Sequence, residues 1–268
     1  MFNEIRLLNL MTTFLYGLLL LILLGAGLYW FAHRPYFSLN LVKVEGELRH
    51  VSLPALRAAT LPTIKGNFFT VDLDAVRESF ETVSWVRKAS VRREWPNRLV
   101  INLLEHEAFA TWTDGKNENQ LLSRLGDIFS ANEAEAEEDG ALPDLGGPQG
   151  SEKDVLLQYQ LLKEMLSAIQ MKPVAVTLSP RYAWSMRTDT GLQLEIGREL
   201  DGGQAQNAVP LISGTLVKDR VGRLIRAYPQ VKAMFPGRLQ YVDLRYPNGF
   251  ALRASGVSIS SDDKARKK

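Results

Sequence analysis

Residues 85–105 read Trp85-Val86-Arg87-Lys88-Ala89-Ser90-Val91-Arg92-Arg93-Glu94-Trp95-Pro96-Asn97-Arg98-Leu99-Val100-Ile101-Asn102-Leu103-Leu104-Glu105. Before the turn, Ala89, Val91 and Arg93 alternate with Ser90 and Arg92; after it, Leu99, Ile101 and Leu103 recur at every second position. Successive side chains of an extended strand point to opposite faces. Alternation on both sides of a tight Pro96-Asn97 turn therefore predicts a β-hairpin with one buried face. Upstream, Leu73, Val76, Phe80 and Val83 recur at helical spacing, and Asp72 or Asp74 is placed to cap that helix. Gly66-Asn67-Phe68-Phe69 leads into it. A shorter helix precedes, with Ser52 as N-cap, Pro54 in its first turn, Leu53, Leu56 and Ala59 on one face and Pro62 at its end. Before that, an extended piece from Leu39 to Glu45 stops at Gly46. The order strand, helix, helix, strand, strand predicts a small α+β layer with helices on one side of a sheet. Trp95-Pro96 and Phe68-Phe69 are expected to serve core and turn rather than contact a partner.

Towards the N-terminus, the 26 residues from Leu7 to Ala32 carry no charge. A helix needs about 20 apolar residues to cross a bilayer core, and Tyr29, Trp30 and Phe31 supply the aromatics that favour a membrane–water interface. A cleaved signal peptide would use Arg6 as its basic head and Gly25-Ala26-Gly27 near its cleavage site, but the apolar run is too long for that, so an uncleaved anchor is expected. Arg6 before the span and Arg34 after it give little positive-inside asymmetry. The short head, and the lack of a second stretch of this kind, favour head inside and body outside.

Downstream of Glu107, Phe109–Trp112 and Leu121–Phe129 read as strands. Glu133, Glu135, Glu137, Glu138 and Asp139 form an acidic run, followed by Gly140, Pro143, Gly146-Gly147-Pro148 and Gly150. The run lacks the alternate carboxylates, sixth-position Gly and twelfth-position Glu of a calcium loop and reads as solvated loop. Ser151 opens an amphipathic helix to Gln170 with Val155, Leu156, Tyr159, Leu162, Leu166 and Ile169 on one side. Strands are expected at Val174–Leu178, Tyr182–Arg187 and Leu192–Ile196. A helix is expected at Leu216–Tyr228, punctuated by Pro229 and Pro236. From Leu239 to Arg253, Val242 and Leu244 alternate with Tyr241, Asp243 and Arg245. Asn248-Gly249 then marks a hairpin turn, which Pro247, lacking an N–H, makes wider than two residues. Ser255–Lys268 reads as a disordered tail.

The 268-residue chain has a formal net charge of +2 and 46% hydrophobic residues, so no global field points to nucleic acid. It has no cysteine, which excludes disulfides, thiolate metal sites and cysteine nucleophiles. Its histidines, His33, His50 and His106, lack metal-ligand spacing, and Glu105, His106 and Glu107 cannot converge from an extended segment. No GxSxG, P-loop, HExxH or GxGxxG element occurs. Hence no catalytic, cofactor-binding or metal residue is assigned, and no cofactor is expected.

Trp85-Val86-x-x-Ala89-x-Val91-x-Arg93-x-Trp95-Pro96-x-x-Leu99-x-Ile101, ending at Glu105, resembles the POTRA domain of the FtsQ/DivIB cell-division family, and Phe69-x-Val71-Asp72 fits it. The resemblance continues through Leu122-Ser123-x-x-Gly126-x-Ile128-Phe129, Leu142-Pro143-x-Leu145-x-Gly147-Pro148 and Gly197-Arg198, and closes with Tyr241-Val242-Asp243-Leu244-Arg245-Tyr246. It implies an α+β protein with a single N-terminal transmembrane helix, a POTRA domain (β-α-α-β-β) and a β-rich domain with two helices. The corresponding divisions are a cytoplasmic head 1–9, a span 10–32, a POTRA domain 37–106, a β domain 107–253 and a tail 254–268.

The resemblance further implies a non-enzymatic scaffold of the bacterial divisome in the cell inner membrane, with its body periplasmic and concentrated at the septum. Such a scaffold binds FtsB and, through it, FtsL. It regulates the septal peptidoglycan synthase FtsW/FtsI and meets FtsK upstream. Carried over residue by residue, the family's FtsB-binding surface falls on Arg198, Arg245, Tyr246, Asn248 and Gly249, with Phe250, Ala251 and Leu252 as the edge strand. Arg198 and Arg245 would pair with acidic side chains and Tyr246 would be a contact anchor. Three features depart from the family pattern: the acidic run, an apparent insertion at Leu200–Leu216, and the Pro247-Asn248 turn. Two other readings compete. A POTRA-containing envelope assembly or secretion factor would carry a C-terminal barrel, for which the chain is too short. A membrane-anchored periplasmic cell-wall hydrolase would need paired carboxylates, for which Asp243 and Glu195 are the only suggestion.

Overall fold

The computed structural model describes residues 2–32, 34–39, 41–115, 120–199, 215–235, 237 and 239–255. The chain divides into two compact units, Met1–His106 and Glu107–Lys268.

The first unit opens with helix α1 (Phe2–Ala32), of which Leu10–Phe31 is long and apolar enough to cross a membrane and is buried nowhere. Apolar side chains on every side of an unpacked helix are stable only in a lipid solvent. The body of the unit runs β1 (Leu41–Glu45), α2 (Leu53–Thr60), α3 (Leu73–Glu81), β2 (Val86–Glu94) and β3 (Arg98–Glu105). Its sheet has the order β1-β3-β2, with β1 parallel and β2 antiparallel to β3. The hairpin pairs Ala89 with Leu103, Val91 with Ile101 and Glu94 with Arg98. The core holds Leu56, Val76, Phe80, Ala89, Leu99, Ile101 and Leu103. Asp72 caps α3, its Oδ1 accepting from the Asp74 and Ala75 amides at 3.0 and 3.1 Å.

Three local expectations differ from the structure of this unit. Ser52 occupies the N-cap of α2 but its side chain caps nothing. Of the expected α2 stripe only Leu56 is buried; its partner is Thr60, whose hydroxyl is satisfied by donating to the Leu56 carbonyl at 2.7 Å. Trp95 is 71% exposed, because it sits in the turn beyond the sheet's buried face, and Phe69 is also exposed while Phe68 is buried.

The carboxylate of Glu105, at the end of β3, accepts from the backbone amides of Arg49, His50 and Val51 at 2.8–3.2 Å. It thereby closes the β1–α2 connection onto the last strand. His50 in turn stacks on Trp85, ring centroids 4.2 Å apart. Among the described residues no group of three His, Cys, Asp or Glu is placed to hold a metal.

The second unit is a nine-stranded sheet with helices against one face. Its strands and helices are β4 (Ala108–Thr113), β5 (Gln120–Ser123), β6 (Ile128–Ser130), α4 (Glu133–Ala136), β7 (Asp144–Gly146), α5 (Glu152–Ser167), β8 (Pro173–Leu178), β9 (Ala183–Thr188), β10 (Gln193–Arg198), α6 (Thr215–Met234), β11 (Leu239–Asp243) and β12 (Ala251–Ala254). The strand order is β12-β11-β10-β9-β8-β7-β4-β5-β6, with β4–β7, β7–β8 and β10–β11 parallel and the rest antiparallel. Val155, Tyr159, Leu162 and Leu166 of α5 and Val217, Val221 and Leu224 of α6 share one core with Trp112, Leu145, Val176, Leu194, Ile196 and Val242.

Several boundaries move here as well. The single strand expected over Leu121–Phe129 is two, β5 and β6. They are joined by a turn in which Gly126 takes a φ of +82° and Ser123 Oγ accepts from the Asp127 amide at 3.0 Å. The acidic run is not loop. Asn132 caps Ala134, acidic side chains in the first turn oppose the helix dipole, and α4 is followed by a 3-10 turn over Glu137–Asp139. Ser151 Oγ donates to the Pro148 carbonyl instead of capping α5, which ends at Ser167 rather than Gln170. Helix α6 passes through Pro229 to Met234; the one amide lost at Pro229 is outweighed by burial of Leu224 before it and Val231 after it. The expected insertion Leu200–Leu216 lies outside the described residues except for the start of α6. The expected tail lies outside them from 256 onwards, as does His33.

Glu105→Ala removes the acceptor of three amides at once and should cost about 2 kcal/mol. Hydrogen exchange should show the protection of the Arg49–Val51 amides lost, and denaturant unfolding should show the lowered stability.

Candidate partner-binding edge

Strand β12 is the last of the sheet: one side pairs with β11 through Asp243↔Ala251, Val242↔Leu252 and Tyr241↔Arg253. Its other side faces no strand among the described residues, which leaves a row of backbone donors and acceptors open to pairing. Alternation decides which side chains accompany that row. Leu252 and Ala254 turn inward and pack on the core together with Phe250, while Ala251 and Arg253 face out. Phe250, expected within the strand, lies one residue before it, and the connection from β11 spans Leu244–Phe250, wider than two residues as Pro247 requires.

Within that connection Tyr246 is 55% exposed, Arg245 and Asn248 are exposed and Gly249 is half-buried. The loop is held from α6: Arg223 donates to the Pro247 carbonyl and, at 3.2 Å, to that of Tyr246. Arg245 is held from its own strand end. Asp243 is 5% exposed, and its Oδ1 accepts from the Arg245 amide at 3.1 Å and Nε at 2.9 Å while Oδ2 accepts from Nη2 at 2.6 Å. The Arg245 side-chain hydrogen bonds hold the Asp243 carboxyl below its usual range, partly opposed by burial. One edge of the Arg245 guanidinium is therefore already occupied, through Nε and Nη2, by Asp243.

Arg198 ends β10 on the same side. Gly197 before it has a φ of +87°, and a Cβ there would lie 2.9 Å from Arg245 Cγ and 3.2 Å from an Arg220 guanidinium nitrogen. Buried Arg220 donates to the carbonyls of Ile196 and Arg198 at 3.1 and 2.6 Å. Glu199 next to it caps α6, accepting from the Leu216 and Val217 amides at 2.9 and 3.2 Å. Arg198, Arg220 and Arg245, with Arg181 and Ser179, line a cavity of about 420 Å³. Four guanidinium groups around one recess create a field that favours an anion.

The structure thus brings Arg198 and Arg245 to one recess and places Tyr246, Asn248 and Gly249 on the loop leading to the edge. Phe250 and Leu252 contribute to the core rather than an outward surface. Residue-by-residue reading missed Arg181, Arg220 and Arg223, which carry no local signal because what brings them here is the lateral order of β9, β10 and β11 with α6 across them. Asp243 figures in the sequence only as a motif residue and hydrolase carboxylate, although its bonds to Arg245 are local, two residues apart. A larger groove of about 710 Å³ over β7–β10 contains none of the candidate partner-binding residues; Glu195 lines it without Asp243, and two further charges there, Asp144 and Arg187, pair with each other at 2.9 Å.

The fold defines a protein class first: a single apolar span followed by an α+β unit and a sheet unit with an open, basic edge. The model of the FtsQ-type POTRA domain matches residues 37–106, and that of the C-terminal domain of cell division protein FtsQ/DivIB matches 110–245. The chain is 44% identical to cell division protein FtsQ of Burkholderia pseudomallei over 268 residues, all of each chain. It is 40% identical to that of Bordetella pertussis over 257 residues, 94% of this chain and 92% of the relative. It is 30% identical to that of Thiomonas arsenitoxydans over 265 residues, 99% and 93% of the two. The chain belongs to the FtsQ/DivIB family of cell-division proteins, which supports a role in the divisome, and its one N-terminal apolar helix fits a single-pass membrane protein.

The Asp243–Arg245 pair has a pH signature. With the folded carboxyl depressed, the pair's contribution is full above the ordinary carboxylate range and is lost as pH falls through the folded value. Arg245→Ala removes the side-chain bonds and the charge and leaves burial opposed only by the backbone amide bond, so the Asp243 carboxyl should titrate at higher pH than in the parent when followed by NMR of that side chain.

Proposed function

We propose that this chain is a non-enzymatic divisome scaffold that receives an extended segment of FtsB along strand β12 and, through FtsB, engages FtsL. The observation that carries this reading is the coincidence of a free sheet edge with an arginine-lined recess at the end of the neighbouring strands. Main-chain bonds to an added strand give affinity, and flanking side chains give choice. Arg198 and Arg245 receive acidic partner side chains, Tyr246 packs as the large amphipathic anchor, and Asn248 and Gly249 shape the loop the partner crosses. Ala251 presents backbone with little side chain in the way, and Phe250 and Leu252 hold the strand from beneath. By this link the scaffold connects early proteins such as FtsK to the late synthase FtsW/FtsI and controls septal peptidoglycan synthesis.

The same proposal sets the topology. Residues 1–9 are cytoplasmic, 10–32 cross the inner membrane, and the POTRA domain 37–106 and β domain 107–253 are periplasmic at the septum, followed by a tail 254–268. The net charge of +2 gives no reason to add nucleic acid to the partners.

Full-length protein in lipid nanodiscs should bind the periplasmic segment of its own organism's FtsB in calorimetric titration. Tyr246→Ala should weaken that binding by about 2 kcal/mol or more, at least thirtyfold, without altering the fold. Parent-like affinity in a folded Tyr246→Ala protein removes Tyr246 and the adjoining edge from the site.

A further inference from the structure

A cluster of aromatic rings fastens the body of the first unit to the end of its membrane helix. The membrane-length part of α1 ends at Phe31. Buried Phe37 packs edge-on against Phe31 at 5.2 Å, Tyr36 at 5.3 Å and Phe69 at 4.9 Å between ring centroids. Phe69 belongs to the loop Gly66–Thr70 that leads into α3. That loop is tied to the segment leaving the span: the Phe68 amide donates to the Phe37 carbonyl at 2.9 Å, and Ser38 and Asn67 form an antiparallel bridge. The loop is also rigid. Asn67 Oδ1 accepts from the Phe69 and Thr70 amides and the Thr70 hydroxyl, each at 3.0 Å.

Distances set the depth of these rings. The two centroid separations through Phe37 put the Phe69 ring within about 10 Å of Phe31. A bilayer of about 40–45 Å with a hydrocarbon core of about 30 Å has a headgroup layer of about 5–8 Å on each face. Phe69, two packing contacts beyond the end of the span, therefore lies no more than a few ångströms outside that layer. Aromatic side chains partition favourably there, yet in the protein itself Tyr36 is 66% and Phe69 47% exposed. Cations flank them: the Arg34 guanidinium lies 3.6 Å from the Trp30 ring centroid, and exposed Lys65 precedes the loop. Both suit anionic headgroups.

We propose that Tyr36 and the loop Gly66–Thr70, through Phe69, form a membrane-interface anchor that seats the first unit against lipid headgroups. The lipid surface is the occupant because the rings are continuous, in chain and in packing, with α1, on whose reading as the membrane span this inference rests. The unit is then held at a fixed depth and tilt instead of moving freely on a tether. This inference is independent of any partner at β12.

The chain has no cysteine, so one introduced cysteine labels cleanly. Full-length protein with Lys65→Cys carrying a nitroxide, in vesicles of phosphatidylethanolamine and phosphatidylglycerol, is compared with the same label at Ser90→Cys on exposed β2. The Lys65 label should collide several-fold less often with a water-soluble nickel chelate and more often with oxygen. Adding Phe69→Asp should bring it to the Ser90 value, whereas Phe69→Leu should leave it in place, with exchange protection of α3 reporting that the unit is folded. Equal water exposure at Lys65 and Ser90 in the parent background overturns the proposal whether or not the Asp variant folds. So does an unchanged depth in a folded Phe69→Asp protein, and so does a depth that varies with protein-to-lipid ratio, which would assign the cover to a second copy.

Discussion

An open sheet must end, and where it ends the backbone keeps hydrogen-bonding capacity that no neighbouring strand uses. In the second unit that constraint falls on β12, a four-residue strand held by β11 on one side and by Phe250, Leu252 and Ala254 from beneath. Because the strand is short, its approach matters as much as its length. Arg223 from α6 fixes the preceding loop by its carbonyls, and Asp243 fixes Arg245 by three bonds. The edge is thus presented on rigid supports, which lowers the ordering cost of adding a partner strand.

Charge at this edge is held both by backbone carbonyls and by an opposite charge, Arg220 and Arg223 on carbonyls and Arg245 on Asp243. Buried Arg220 directs donors to the carbonyls of Ile196 and Arg198 and lines the same recess as Arg198 and Arg245. Only a glycine at 197 permits this approach: its left-handed backbone and missing Cβ leave room for two arginine side chains. Asp243 occupies one edge of the Arg245 guanidinium through Nε and Nη2.

The first unit solves a different problem, closing a small three-stranded layer that has few buried residues to spare. Here single polar side chains do what further core would otherwise do. Glu105 gathers three amides of the Arg49–Val51 connection, Asp72 caps α3, and Asn67 ties its own loop. The Phe31–Phe37–Phe69 ring contacts then join this layer to the membrane helix by packing as well as by peptide bonds.

Local physics decided a good deal from sequence alone: a 26-residue uncharged run makes an apolar helix long enough to cross a membrane, alternation around Pro96-Asn97 makes the hairpin, and the stripe Val155, Tyr159, Leu162 and Leu166 makes α5. These follow from the periods of helix and strand, which neighbours in sequence set. Where local signals were misleading, tertiary packing won, as in the passage of α6 through Pro229, the burial of Thr60 in place of Leu53 and Ala59, and the exposure of Trp95. The candidate edge was legible only in part. Resemblance pointed to Arg198, Arg245 and Tyr246, but Arg181, Arg220 and Arg223 join them only because β9, β10 and β11 lie side by side with α6 across them. Sequence fixes which way a side chain leaves its own strand; which strands are neighbours, and so which charges share a recess, is decided by long-range pairing that no local period encodes.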